Sequence, residues 1–135
     1  MENANPAKAT CVALPKEAFN FLKKLANRDL TNIQETTDKI HNCFTKLEEN
    51  KINSEAFNRD IQNHLNEIYN YLQDLNLLNF TFPTLFSDDQ ATILSDLTQL
   101  TREISRAFPS YENFSEYENG QIGGAVTILQ QQWVA

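Results

Sequence analysis

The segment spanning residues 54–79 constrains the fold of this chain more than any other. It carries apolar side chains at steps of three and four residues, namely Phe57, Ile61, Leu65, Ile68, Leu72 and Leu75. This spacing places them on one face of an α-helix. Neither Pro nor Gly interrupts the segment, and at 1.5 Å per residue such a helix would span roughly 39 Å. We therefore expect a long amphipathic helix along which the other helices pack.

Two helices are predicted before this segment. Pro15 suits the first turn of a short helix that ends at about Asn27. Asp29 or Thr31 can cap the next helix, and Thr31 with Gln34 fits a capping box. The second helix then carries a heptad seam formed by Leu30, Ile33, Thr37, Ile40, Phe44 and Leu47. Because the seam covers less than three heptads, it predicts one helix of a bundle and not a free coiled coil.

A polar turn joins the second and third predicted helices, and an aromatic connection joins the third and fourth. The polar turn at residues 48–53 is short, so the second and third helices should be antiparallel neighbours. The connection FTFPTLF at residues 80–86 includes Pro83, which forces the residue before it to be extended. Ser87 and Gln90 then form a capping box for a fourth helix. Its apolar face is predicted to comprise Ile93, Leu97, Leu100, Ile104 and Phe108.

These elements predict an all-α fold, a single-domain bundle of four main antiparallel helices with a short C-terminal element. We expect residues 1–13 to be a flexible lead-in, residues 14–108 to be the helical bundle and residues 109–135 to be a Tyr-rich acidic tail. The last segment of the tail, AVTILQQQWVA, contains consecutive β-branched residues and is compatible with a strand. We nevertheless expect a short helix that docks Trp133 on the bundle.

Charge is distributed unevenly along the chain, which has a formal net charge of −7. Basic and acidic side chains balance up to residue 60, but after Arg59 the only cations are Arg102 and Arg106. An acidic surface repels phosphate groups, so neither nucleic acid nor an anionic membrane is an expected partner. A basic protein partner is compatible with this charge, although acidic surfaces more often serve solubility alone.

The sequence also bears on location. Cys11 and Cys43 are the only cysteines and form no CxxC pair, which favours free thiols in a reducing compartment. No run of apolar residues approaches 18, so no membrane span is predicted. The N-terminus lacks the pattern of a secretory signal peptide. We expect a cytoplasmic protein, and the Asn-rich composition is also compatible with a bacterial effector that is translocated into a host cell.

Catalytic and metal-binding signatures are absent from the sequence. A phosphotransfer bundle would place a basic residue after its reactive histidine, but His64 is followed within one turn by Glu67. A di-metal carboxylate bundle needs two Glu-x-x-His motifs, and the nearest match is Asp38-x-x-His41. Cys43 is expected to pack as a small apolar residue. We therefore expect a protein that is not an enzyme and has neither cofactor nor metal.

A tyrosine repeat in the tail gives one specific hypothesis. The triplet Tyr-Glu-Asn occurs at residues 111–113 and again at residues 117–119. Each triplet resembles the ligands of adaptor-type SH2 domains, which favour Asn two residues after phosphotyrosine. With Phe114 in fourth place, the first triplet also resembles a tyrosine-based sorting signal. The phosphate would be bound by an Arg cluster of the partner. The alternative is an aromatic-rich loop that packs on the helices.

Aromatic side chains form a second candidate surface, which either lines a groove for a partner helix or closes the end of the core. The predicted partner-binding residues from both hypotheses are Phe80, Phe82, Phe86, Tyr111, Asn113, Phe114, Tyr117, Asn119 and Trp133. We expect a protein–protein interaction module, such as an adaptor, a secretion chaperone or a translocated effector, with homo-oligomerisation through the heptad seam as a further option. The alternative is an enzymatic or ligand-binding bundle with a cavity near His64, Tyr69 and Tyr71.

Overall fold

Four α-helices make up the part of the chain that the computed structural model describes, residues 14–111 and 114–133. They are α1 (Lys16–Glu48), α2 (Ser54–Thr81), α3 (Asp88–Ala107) and α4 (Glu116–Gln131), and no strand occurs in these residues. Each helix packs against the next, and α4 packs against both α3 and α1. This arrangement confirms the predicted all-α, single-domain bundle. The predicted flexible segment, residues 1–13, lies outside the described residues.

The first helix corrects one prediction. The two helices expected before residue 48 are a single continuous helix, α1, of 33 residues. Ala26, Leu30 and Ile33 are fully buried on one face, and neither Pro nor Gly occurs in this stretch. Burial of that face therefore continues the helix through the region where a break was predicted.

The capping box predicted at Thr31 does not form, because the Gln34 side chain reaches another helix. Its Nε2 donates to the carbonyl oxygen of Gly123 at 2.8 Å and to Oγ1 of Thr127 at 2.7 Å. Both acceptors belong to α4. A Gln three residues after a Thr suggested a helix start, but here it holds two helices together.

Hydrogen bonds hold both ends of the turn between α1 and α2. Asn50 adopts a positive φ of 58°, which Asn tolerates better than most residues. The Lys51 N–H donates to the Lys46 carbonyl at 2.8 Å, closing the end of α1. The side chain of Asn53 then accepts from the Ala56 N–H at 2.8 Å and caps α2. The short polar turn predicted here is confirmed.

The long central helix α2 has the face predicted from its spacing. Its buried residues are Phe57, Ile61, Leu65, Ile68, Leu72 and Leu75. Two polar residues outside this face, Gln62 and Asn66, form hydrogen bonds with α3. Gln62 Nε2 donates to the Ser105 carbonyl at 2.5 Å, and Ser105 Oγ donates to Asn66 Oδ1 at 2.5 Å. Further along α2, Asn76 Nδ2 donates to Thr98 Oγ1 at 2.9 Å, so α3 runs antiparallel to α2.

The C-terminal element is a full member of the bundle, longer than the short helix expected. It begins with a capping box between Ser115 and Glu118 and runs for 16 residues. Ile122, Val126 and Leu129 are fully buried on its inner face. The segment Ser-Glu-Tyr-Glu already carried the capping pattern in the sequence, so this helix start was available to prediction.

The capping box predicted at Ser87 and Gln90 is present at the start of α3. Gln90 is buried, and its Nε2 also donates to the Leu129 carbonyl of α4 at 3.3 Å. Apart from this bond, α3 and α4 form the loosest of the four neighbouring helix pairs. No helix of the described residues is long and apolar enough to cross a membrane.

Candidate functional site

The predicted aromatic residues do not form one surface, because the structure divides them between the two ends of the bundle. At one end, Phe86 is 2% exposed and its ring lies 5.3 Å from the Trp133 ring. Trp133 Nε1 donates to Asn27 Oδ1 at 2.6 Å, which docks the end of α4 on α1. Phe82 is partly buried against the same core. These three aromatic side chains close this end of the core.

At the other end, a second aromatic cluster forms around Phe114, which is 9% exposed. Its ring lies 5.9 Å from the ring of Phe44 and 5.9 Å from that of Phe108. Phe57, in the first turns of α2, packs 5.1 Å from Phe44. Since Phe86 follows the other end of α2, the two clusters are separated by a helix of about 42 Å. A groove that contains both Phe86 and Phe114 is therefore ruled out.

Phe80 remains exposed, with 83% of its surface accessible. Phe21 and Leu77 are also exposed, at 61% and 64%. Phe44 of α1 contacts Phe57 of α2, so in an antiparallel pair Phe21 lies level with Phe80. These three exposed side chains, the Phe80 patch, lie near the level at which α2 ends.

The two tyrosine triplets differ in their surroundings. Tyr111 is partly buried against the core, while Asn113 lies outside the described residues. The second triplet forms the first turn of α4, where Tyr117 is 70% exposed. Asn119 is buried, and its Nδ2 donates to the Thr37 carbonyl at 2.9 Å. In this conformation a partner that binds an extended Tyr-Glu-Asn segment would not reach Asn119.

The residues proposed for an internal cavity do not converge. His64 Nδ1 lies 2.8 Å from Glu67 Oε1 on the same helix. Tyr69 is five residues further along α2, roughly 140° around the helix from His64, and its hydroxyl accepts from Gln73 Nε2 at 3.0 Å. Tyr71 lies close to the face of His64 and is partly buried against the core. The three side chains therefore have separate interactions and do not line a common cavity.

Other reactive groups in the described residues do not assemble a reaction centre. No group of three His, Cys, Asp or Glu side chains in this part of the chain is placed to hold a metal ion. His41 Nδ1 lies 2.7 Å from Glu116 Oε1 and links the end of α1 to the first turn of α4. Cys43 is a buried free thiol whose pKa is raised, first by burial and then by the negative charge of Asp60. A thiol in this state is a poor nucleophile.

One carboxyl group on α1 is strongly perturbed. The pKa of Asp29 is raised to about 6, mainly by burial and secondly by the negative charge of Asp74 on α2. The positive charge of Arg28 opposes both effects. Such perturbation occurs in catalytic sites and in structural pairs alike. Here the two like charges, Asp29 and Asp74, belong to the two neighbouring helices α1 and α2.

A shallow groove between α3 and α4 is the surface that the loose helix pairing leaves open. Its volume is about 280 Å³, and it is open to solvent along one side. Ile93, Leu97 and Leu100 of α3 form an apolar floor with Ala125 of α4. Asp96 and Gln121 provide the polar lining. The groove is too small and open for a typical small-molecule pocket, which encloses roughly 300–1,000 Å³.

Part of this groove was predictable from the sequence. Ile93, Leu97 and Leu100 were predicted as the apolar face of a helix, and the structure buries Leu97 while leaving the other two partly exposed. Ala125 and Gln121 were not predicted to contribute to any site. The sequence feature that could have revealed them is that this side of α4 carries small or uncharged side chains, which cover little of the apolar floor.

Comparison with known proteins provides no relative to interpret this surface. No protein-family model, no curated protein and no solved structure matches the chain.

Proposed function

We propose that this protein is a non-enzymatic protein–protein interaction module that binds a segment of another protein in the α3–α4 groove. The observation that carries this proposal is an apolar floor between two helices of an otherwise well-packed bundle, formed by the partly exposed Ile93 and Leu100 and the more deeply buried Leu97. Apolar surface set between helices is a common docking site for an amphipathic helix of a partner.

The shape of the groove supports a protein ligand over a small molecule. An open groove of about 280 Å³ accepts a few apolar side chains along its length. It does not enclose a ligand on most sides, as small-molecule and catalytic sites do. The roles expected from the sequence, an adaptor, a secretion chaperone or a translocated effector, would each use such a surface. A cytoplasmic location is part of the same proposal.

A test of this function needs a variant that fills the groove without emptying the core. Ala125→Phe places a ring over the apolar floor from a position that is only partly buried. Gln131→Phe is the matched control, because it adds the same ring to an exposed position on the same helix. Immobilised wild type and both variants are incubated with extract of the source cells, and retained proteins are quantified by mass spectrometry.

We expect at least one protein to be retained by the wild type and by Gln131→Phe, and to be lost from Ala125→Phe. Circular dichroism and thermal unfolding must show that both variants remain folded. Equal retention by all three forms would place binding elsewhere, for example at the Phe80 patch. If nothing is retained, a thermal-shift screen with metabolites becomes the decisive measurement, and a reproducible shift with one compound would replace the proposed function.

A further inference from the structure

The rim of the α3–α4 groove is acidic on its α3 side. Asp96 lines the groove, and Asp89 and Glu103 lie seven residues before and after it. A heptad step turns a straight helix to within about 20° of the starting direction. The three carboxyl groups therefore form a row on one side of α3, in which Asp96 lies beside the apolar floor and Asp89 and Glu103 lie beyond its two ends. All three residues are exposed.

The α4 side of the groove adds no positive charge. Gln121 and Ala125 line it, and α4 contains neither Lys nor Arg. Glu118, three residues before Gln121, adds a further carboxylate near the start of this side. The groove is therefore apolar at its floor and negative at its edges.

The two cations of α3 lie near Glu103 and not near Asp89 or Asp96: Gln99 Nε2 donates to Glu103 Oε2 at 2.8 Å, and Arg106 lies three residues after Glu103. Arg102 lies six residues after Asp96, roughly 120° around the helix, and its Nη2 donates to Gln99 Oε1 at 2.5 Å. Glu103 and Arg106 both lie beyond Leu100, where the apolar floor ends, so Asp96 is the carboxylate of α3 that lines the groove itself. Asp96 forms no ion pair with any described residue.

We infer that the occupant of this groove is a cationic amphipathic helix of a partner protein, with its apolar face on Ile93, Leu97 and Leu100 and its Lys or Arg side chains along the carboxylate row. From Asp89 to Glu103 the row extends over about 21 Å, which a helix of about 15 residues would cover. Complementary charge of this kind increases association rates and selects between partners. A cationic occupant presupposes the proposed function, because it needs the same groove.

Other occupants fit the surface less well. Phosphate groups of nucleic acid or of an anionic membrane would meet like charge along the carboxylate row. A second copy of this chain carries a net charge of −7 and is repelled overall, although the N-terminal half of its α1 includes Lys23 and Lys24 beside the exposed Phe21. Self-association through that face is therefore measured in the same experiment.

The test uses defined peptides and the full chain. The first peptide has about 15 residues, Leu at helical spacing on one face and Lys elsewhere. The second replaces every Lys with Glu, and the third has the composition of the first in an order without an apolar face. Each carries a fluorophore, and binding is followed by anisotropy in 50 mM and 500 mM salt.

The protein variants separate the edge from the floor. Asp96→Asn combined with Glu103→Gln removes two charges from the row. Glu48→Gln combined with Glu55→Gln removes two charges from exposed positions near the α1–α2 turn and is the matched control. Ala125→Phe fills the groove. Thermal unfolding of each variant confirms that it is folded.

We expect the Leu–Lys peptide to bind the wild type at least tenfold more tightly than the Leu–Glu peptide or the reordered peptide. The Asp96/Glu103 variant should lose at least fivefold in affinity at 50 mM salt and little at 500 mM, where charges are screened. The Glu48/Glu55 variant should bind the Leu–Lys peptide as the wild type does. Ala125→Phe should bind none of the three peptides.

Three results would overturn the inference, and they have different consequences. Equal binding of the Leu–Lys and Leu–Glu peptides, lost in Ala125→Phe, would preserve a groove for partner helices but remove its preference for cations. Binding of the Leu–Lys peptide that survives Ala125→Phe would place it outside the groove. A dimer detected by light scattering in the wild type and absent from Ala125→Phe would identify a second copy as the occupant.

Discussion

The α1–α2 pair and the α3–α4 pair are both antiparallel, yet they are held together differently. Along α1–α2, apolar side chains meet over nearly the full length of both helices, and α2 buries an apolar residue at every turn. Between α3 and α4 the contacts are fewest, and part of the apolar face of α3 is open to solvent. The first pair thus buries its apolar faces, and the second leaves apolar surface accessible, which is where we propose that a partner binds.

The attachment of α4 explains why the second pair can be loose. It packs more extensively on α1 than on α3, and several hydrogen bonds anchor it there, since Gln34 donates to Gly123 and Thr127, and Asn119 donates to Thr37. A Cβ at Gly123 would lie 3.3 Å from Gln34 Oε1 and 3.5 Å from Thr37 Oγ1, so α4 approaches α1 closely here. Thr37 interrupts the apolar seam of α1 where this close approach occurs. A helix anchored on one neighbour does not need to cover the other.

The largest effect is expected in the α1–α2 half. Leu65→Ala removes a side chain that is fully buried, and the lost apolar contacts and the cavity should lower the free energy of unfolding by about 3 kcal/mol. Leu77→Ala makes the same chemical change on the same helix where the side chain is 64% exposed, and should alter it by less than about 0.5 kcal/mol. Urea titration measures both. Similar losses in the two variants would contradict the assigned packing of α2.

Glycine substitutions in α4 should change the free energy of unfolding by a smaller amount. A Cβ at Gly120 or Gly124 would meet no atom within 4 Å, so Ala at either position should raise the free energy of unfolding by about 0.5–1 kcal/mol through helix propensity. Gly123→Ala has the same propensity gain but must displace Gln34. We expect its gain to be reduced or reversed in thermal unfolding. If all three variants stabilise equally, the close approach of α4 to α1 is not as described.

The smallest effect concerns pH. The pKa of Asp29 is about 6 in the folded chain, against 3.8 for the unperturbed group, so the folded state holds this proton more tightly than the unfolded state. The stability therefore decreases as pH rises from about 4 to about 6 and then levels off. Because the group is only partly buried and solvent screens its charge, we expect Asp29→Asn to recover only about 0.5 kcal/mol at pH 8.

Urea titrations at pH 4 and pH 8 check this dependence. Asp29→Asn should remove most of the difference that Asp29 causes between the two pH values. Asp74→Asn should reduce it as well, since Asp74 contributes to the raised pKa of Asp29. An unchanged difference in both variants would mean that other carboxyl groups control the pH dependence.

Local sequence patterns determined where most of the helices begin and which faces they bury. The apolar spacing of α2 specified a helix and its buried face, and Ser87 with Gln90 specified the start of α3. The C-terminal helix was underestimated, although Ser115 and Glu118 already formed its capping pattern. These features depend on neighbours within about one turn, so the order of residues is enough to reveal them.

Tertiary structure decided the rest, because it depends on which distant residues meet. Gln34 has the spacing of a helix cap, but its amide finds acceptors 89 and 93 residues away and leaves α1 unbroken. Phe86 and Phe114 both looked like parts of one aromatic surface, yet the length of α2 separates them. The α3–α4 groove exists because α4 docks on α1 and leaves Leu100 beside the small Ala125. No spacing within a single helix contains that information.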